Sequence, residues 1–178
     1  TNLYLRYKLT SVDRYSKLVP QPEKQSLKGG DLNLAQESSI TEEMRKAIGV
    51  ESTPVVFDVE KGAVKKFAQA IEDPNPLFKD EIFAKKSKYG GIIAPPTFPS
   101  MLRNPAVVDR IFNFDTPLKG LLNGGNELEF FKPIKVGDVI TVTAKINDVK
   151  ERTGGMGKMI FFFNEVTYKN QKGEVVCI

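Results

Sequence analysis

A chain of 178 residues, 40% of them hydrophobic and 27% charged, has the balance of one globular domain with a tail, able to bury about 70% of its unfolded surface. No apolar run approaches the roughly 18 residues that cross a bilayer, and no secretory signal opens the sequence, so a cytoplasmic protein without membrane association is expected; the single cysteine, Cys177, excludes an internal disulfide framework, and the complete lack of histidine excludes Ser-His-Asp and Cys-His nucleophiles and His-based metal sites. The net charge of +4 suits an anionic small molecule or an acidic partner and is too diffuse to argue for nucleic acid.

Residues 1–38 mix apolar and polar types without a sustained period and carry Pro20, Pro22, Gly29 and Gly30 among polar residues, which reads as an arm or linker. The globular domain is expected over 39–178. Ser39 and Glu42 have capping-box spacing, with Met44, Ala47 and Ile48 on one face of a short helix and Gly49 as its stop. Thr53–Val59 is a strand candidate. Ala63, Val64, Phe67, Ala68 and Ile71 form the apolar stripe of a helix that the prolines of Asp73-Pro74-Asn75-Pro76 must end. Asp80–Lys86 is long enough for a turn or two of helix. The glycine-hinged loop Tyr89–Pro96 is expected to lead into a helix from about Pro96, with Pro99 in its first turn and Pro105 at its end.

The last third reads as β structure: Gly125–Phe131 alternates, and Val139–Asp148 places Ile140, Val142, Ala144 and Ile146 on one face. Met159–Tyr168 is a long strand whose Phe161, Phe162 and Phe163 alternate between faces, at least one of them core. Thr153-Gly154-Gly155 suits the hairpin between these two strands, and Glu174–Ile178 begins a further strand that reads as unfinished. A strand, then helices, then antiparallel strands predicts an α+β fold in which a curved antiparallel sheet wraps one central helix.

Any acid–base step must use Asp, Glu, Lys, Tyr or a partner's residues. The most specific stretch is E-D-P-N-P-L-F-K-D at the end of the first long helix, followed by K-S-K-Y-G-G-I-I-A-P-P-T-F. Together with G-G-N-E-L-E-F and K-P-I-K-V-G-D further on, it resembles the MaoC-like dehydratases, the type-2 (R)-specific enoyl-thioester hydratases, over about residues 40–178. That resemblance implies a hot-dog fold and a loop of the form G-D-x-N-P-(Leu/Ile/Val)-His-x-(Asp/Glu), whose Asp and His handle water. Asp73 matches the Asp, Asn75, Pro76 and Leu77 the N-P-L, and Asp80 the trailing acid, but Phe78 stands where the histidine belongs. Phenylalanine can neither activate water nor protonate carbon.

The wording is closest to the family's non-catalytic N-terminal half, of the type found in mycobacterial hydroxyacyl-carrier-protein dehydratases. The resemblance therefore implies an accessory subunit that accommodates the acyl chain beside a MaoC-like catalytic subunit bearing the Asp/His dyad, as a dimer or higher oligomer. The substrate would ride on coenzyme A or acyl carrier protein, with no other cofactor and no metal. Its expected binding residues are Asp73, Asn75, Phe78, Gly91, Ile93, Ala94, Pro95, Thr97 and Phe98, Asp73 being the one catalytic candidate. Two other readings stay open: a self-sufficient hot-dog homodimer acting as hydratase or thioesterase with Asp73 as base, and an acyl-binding scaffold.

Plainer roles stand beside these. Asp73 can terminate the helix through Asx-type hydrogen bonds and Asn75 can form a turn; Phe78 can be core or interface packing; Gly90 and Gly91 can be hinges. Amides at the start of the following helix are placed to meet a thioester carbonyl. The run Lys85, Lys86 and Lys88 is either solvated surface or a contact for coenzyme A phosphates or an acidic carrier protein.

Overall fold

The structure, a computed structural model, describes residues 38–116, 120, 122–154 and 157–178. The arm expected over residues 1–38 therefore lies outside the described residues except for Ser38, as does the hairpin tip beyond Gly154. Four helices and four strands follow in chain order: α1 Glu42–Lys46, β1 Val55–Asp58, α2 Lys61–Ala70, α3 Glu81–Lys86, α4 Pro105–Asn113, β2 Val139–Gly154, β3 Gly157–Lys169 and β4 Val175–Cys177, with 3-10 turns at Pro76–Phe78 and Phe98–Met101. The strands form one antiparallel sheet in the order β1-β2-β3-β4, so the expected α+β class is what folds. Among the described residues no helix is long and apolar enough to cross a membrane.

The period-two row of β2 does what alternation demands: Ile140, Val142, Ala144 and Ile146 are all buried. A register shift between Ile146 and Asp148 then inserts one residue and returns Val149 to the inner face. Beyond it Phe162, opposite Val149, stacks on Phe114 at 5.7 Å between centroids, while Arg152 and Lys150 lie over the outward rings of Phe161 and Phe163. The alternation expected of the three phenylalanines holds.

The interior has two parts. Val64 of α2, Ala84 of α3, the segment Ile92–Leu102, Ile134, Ile140, Val142, Tyr168, Val176 and Cys177 form the larger; α1, α4 and the distal part of β2 form the smaller, around Met44, Val107, Ile111 and Ile146. Each fully buried aliphatic or aromatic side chain stabilises by about 1.5–3 kcal/mol relative to exposure. At the boundary sits a buried polar pair. The Asn104 side-chain amide donates to Ser52 Oγ at 2.9 Å, Thr53 O at 2.9 Å and Val142 O at 3.0 Å, and the Ala144 amide donates to Ser52 Oγ at 3.0 Å.

Three expectations need correction. The first helix is capped by Thr41, whose hydroxyl accepts from the Met44 amide, and not by Ser39, whose own amide donates to Glu151. The helix expected from Pro96 to Pro105 is a single 3-10 turn, Phe98–Met101; Pro105 opens α4 instead, where its missing amide hydrogen costs nothing and Asn104 serves as N-cap. The element facing the inner sheet is thus divided between that turn and α4. Finally, Gly125–Phe131 is not a regular strand: it touches the sheet through a Phe130–Cys177 bridge and a Glu129–Ile178 backbone pair, because its partner β4 is only three residues long.

Candidate functional site

Helix α2 ends in a Schellman arrangement: the Asp73 amide donates to Ala68 O at 2.9 Å and the Glu72 amide to Gln69 O at 3.1 Å, with Glu72 in the left-handed region at φ 54°. This closes the helix before Pro74 and delivers Asp73 to the start of the expected site. Asp73 is half-buried, and its Oδ1 accepts from the Asn75 amide at 2.9 Å. Asn75 Oδ1 in turn accepts from the Leu77 amide at 3.0 Å, capping the 3-10 turn that begins at Pro76. Asp80 closes the series, accepting from the Ile82 and Phe83 amides at 2.9 Å each as N-cap of α3. Both acids of the loop therefore hold backbone N–H groups at turn and helix starts.

Phe78, at the position of the family's histidine, is 4% exposed and packs with Ala68 and Ile93, flanked by Leu77 and Tyr89. The Ile93 amide donates to Leu77 O at 3.2 Å, which ties the glycine-hinged loop to the Asp73–Phe78 turn. Gly90 makes the reversal into this loop at φ 70°. Ile92 and Ala94 then pair by backbone with Val136 and Ile134, and Lys135 Nζ donates to Tyr89 O at 2.7 Å. Pro95 and Phe98 are buried, with Phe98 meeting Phe67 edge to face at 5.5 Å. Thr97 is exposed and Gly91 half-buried.

The residues singled out in the sequence thus fall into two sets. Asp73, Asn75, Phe78 and Ile93 come together; Ala94, Pro95 and Phe98 lie deeper, beneath α2. The amides of Phe98 and Ser100 already donate to Pro95 O and Thr97 O, so the short turn does not offer them to a carbonyl.

Sequence reasoning missed a groove between α2 and Met101, about 450 Å3 in volume, lined by Glu60, Gly62, Ala63, Lys66, Phe67, Ala70 and Met101. Its volume lies within the range of small-molecule clefts. The signal was present: the apolar stripe of α2 is wider than one face needs. Val64 and Ala68 turn to the core, leaving Ala63, Phe67 and Ala70 along the groove.

Chemically, the arrangement is poor in acid–base groups. Cys177 is fully buried, and burial pushes its thiol up to about 12; burial does the same to the Tyr168 hydroxyl, also to about 12. Neither ionises near neutrality. Among the described residues no three carboxylate or thiol groups gather as a metal site.

The family described as FAS1-like, dehydratase domain region, matches residues 46–178. A UPF0336 protein of Thermobifida fusca is 34% identical over 103 residues, covering 57% of this chain and 68% of the relative. Among solved structures, the C-terminally truncated HadBC (3R-hydroxyacyl-ACP dehydratase) complex of Mycobacterium tuberculosis superposes with TM-score 0.61 at 25% identity, covering 74% of this chain and 91% of that one. The MaoC-like dehydratase of Rhodospirillum rubrum gives TM-score 0.57 at 26% identity, with 74% and 86% covered. The fold shared with them is the hot-dog fold expected from the resemblance.

Proposed function

The chain belongs to the FAS1-like dehydratase-region family, and from that membership we propose that it works as the non-catalytic, acyl-accommodating subunit of a heteromeric (R)-specific enoyl-thioester hydratase or 3-hydroxyacyl-thioester dehydratase. The observation that carries this reading is the Asp73–Phe78 turn. The histidine position holds a buried phenylalanine, and the nearby carboxylate accepts a backbone hydrogen bond that fixes the turn. Adding water across a trans-2-enoyl thioester needs a base on the water and an acid for the α-carbon. A MaoC-like partner with an intact Asp/His dyad would supply both. This chain would supply apolar surface for the acyl group, with the groove between α2 and Met101 as its candidate berth. The acyl group would arrive on coenzyme A or on acyl carrier protein, in the cytoplasm, and water would be the only other reactant.

The test is hydration of crotonyl-CoA and trans-2-dodecenoyl-CoA, followed by loss of enoyl-thioester absorbance. The expected result is no turnover by the chain alone, a stable complex with a dyad-bearing MaoC-like subunit, and faster dodecenoyl turnover by the complex than by that subunit alone. Turnover by the isolated chain, abolished by Asp73→Asn, would overturn the proposal in favour of a self-sufficient enzyme.

A further inference from the structure

Helix α3, directly after the Asp73–Phe78 turn, rests on the core by Ala84 alone. Ile82 is 71% exposed and Phe83 50% exposed, two large apolar side chains side by side where a short surface helix usually carries polar ones. Around them stand Lys79, Lys85, Lys86 and Lys88. Among the described residues the first three have no carboxylate partner, and Lys88 lies over the Tyr89 ring. The local acids are occupied: Glu81 is held by Lys61 at 3.0 Å and Lys65 at 3.5 Å, and Asp80 caps the helix. The result is an apolar spot framed by uncompensated positive charge, on the element that continues the candidate site.

We propose that α3 is the docking surface for an acidic acyl carrier protein, which presents carboxylates to Lys79, Lys85 and Lys86 and an apolar side chain to Ile82 and Phe83. This deepens the functional reading above by choosing the carrier. Free coenzyme A offers phosphates, which lysines alone would satisfy; it gives no use for the exposed isoleucine and phenylalanine. A protein surface uses both, since desolvated apolar anchors hold an interface together while the surrounding charges steer encounter.

The test titrates the full chain with a purified bacterial holo acyl carrier protein and, in parallel, with crotonyl-CoA. Two double variants are compared with the unaltered chain: Lys85→Glu with Lys86→Glu, and Ile82→Ser with Phe83→Ser. Lys46→Glu on α1 serves as a remote control, and all the substituted side chains are exposed, so folding should survive; circular dichroism checks this. Expected are a rise in carrier Kd of about tenfold or more for each double variant, little change for Lys46→Glu, and crotonyl-CoA binding equal across the set. Absence of carrier binding by the unaltered chain overturns the inference. So does a loss confined to the lysine variant, which marks unspecific attraction, or an equal loss of coenzyme A binding, which marks a phosphate site. The titration needs no second subunit, so failure to pair with a dyad-bearing partner would sink the heteromeric reading without deciding this one.

Discussion

At Glu72 the backbone is left-handed, φ 54°, in a residue with a Cβ. The Schellman closure of α2 requires that conformation, and in an L-residue it costs roughly 1–2 kcal/mol. The family loop quoted above begins with glycine at this position, immediately before the Asp that Asp73 matches, so this chain tolerates strain where its relatives' pattern avoids it. Glu72→Gly should raise the unfolding free energy by about 0.5–1 kcal/mol, the relieved strain less the added freedom of the unfolded chain. A urea midpoint that stayed or fell would show that Glu72 makes a compensating contact. Legibility at this scale was uneven. Asp80 as a helix start and Asp73 as a turn former followed from the local preference of Asp to bond nearby amides. Whether Phe78 faced core or cleft did not, because that depends on Ala68 and Ile93 arriving from elsewhere in the chain.

For whole elements, the sequence is legible where periodicity is long and misleading where proline decides. The β2 row and the α2 stripe repeat often enough to fix type and face. Pro105 is compatible with both the end of one helix and the start of another, and the choice rests on Asn104. Its Oδ1 caps α4 by accepting from the Ala106 amide at 3.0 Å, and its side-chain amide reaches Ser52, Thr53 and Val142, far away in the sequence. No local pattern encodes those partners. Asn104→Ala removes the cap and strands buried acceptors, so it should cost about 2–4 kcal/mol in chemical denaturation. Asn104→Ser, which restores a capping oxygen but not the amide donors, should recover about 1 kcal/mol of that loss. Equal stability of the two variants would assign the whole effect to the buried network.

On the scale of the molecule, Cys177 and Tyr168 make stability depend on alkaline pH. Burial raises both folded pKa values to about 12, from 9.0 for the thiol and 10.0 for the phenol. Below pH 9 both groups are protonated in either state and their contribution is fully present. As pH rises from 9 towards 12 the unfolded chain releases protons that the folded one keeps, so stability falls. By pH 10.5 the thiol alone should account for about 2 kcal/mol. Cys177→Ala should therefore lose about that much less than the unaltered chain between pH 8 and pH 10.5; parallel losses would mean that the thiol is not protected.

The same interior is crossed by the Asn104–Ser52 pair, which bonds to β2 at Val142 and Ala144, between the last large-cluster residue and the first small-cluster one. Polar groups there forgo the close apolar contact that would couple the two sides, and Val166 is the one partly buried side chain assigned to both. The two halves should then breathe on separate clocks: native-state hydrogen exchange would sort the amides of α4 and the distal hairpin into a less protected class than those of the proximal sheet. Local opening of the smaller half would leave the Asp73–Phe78 turn and α3 in place, so that the chain could loosen at one end while staying able to recognise its partners at the other.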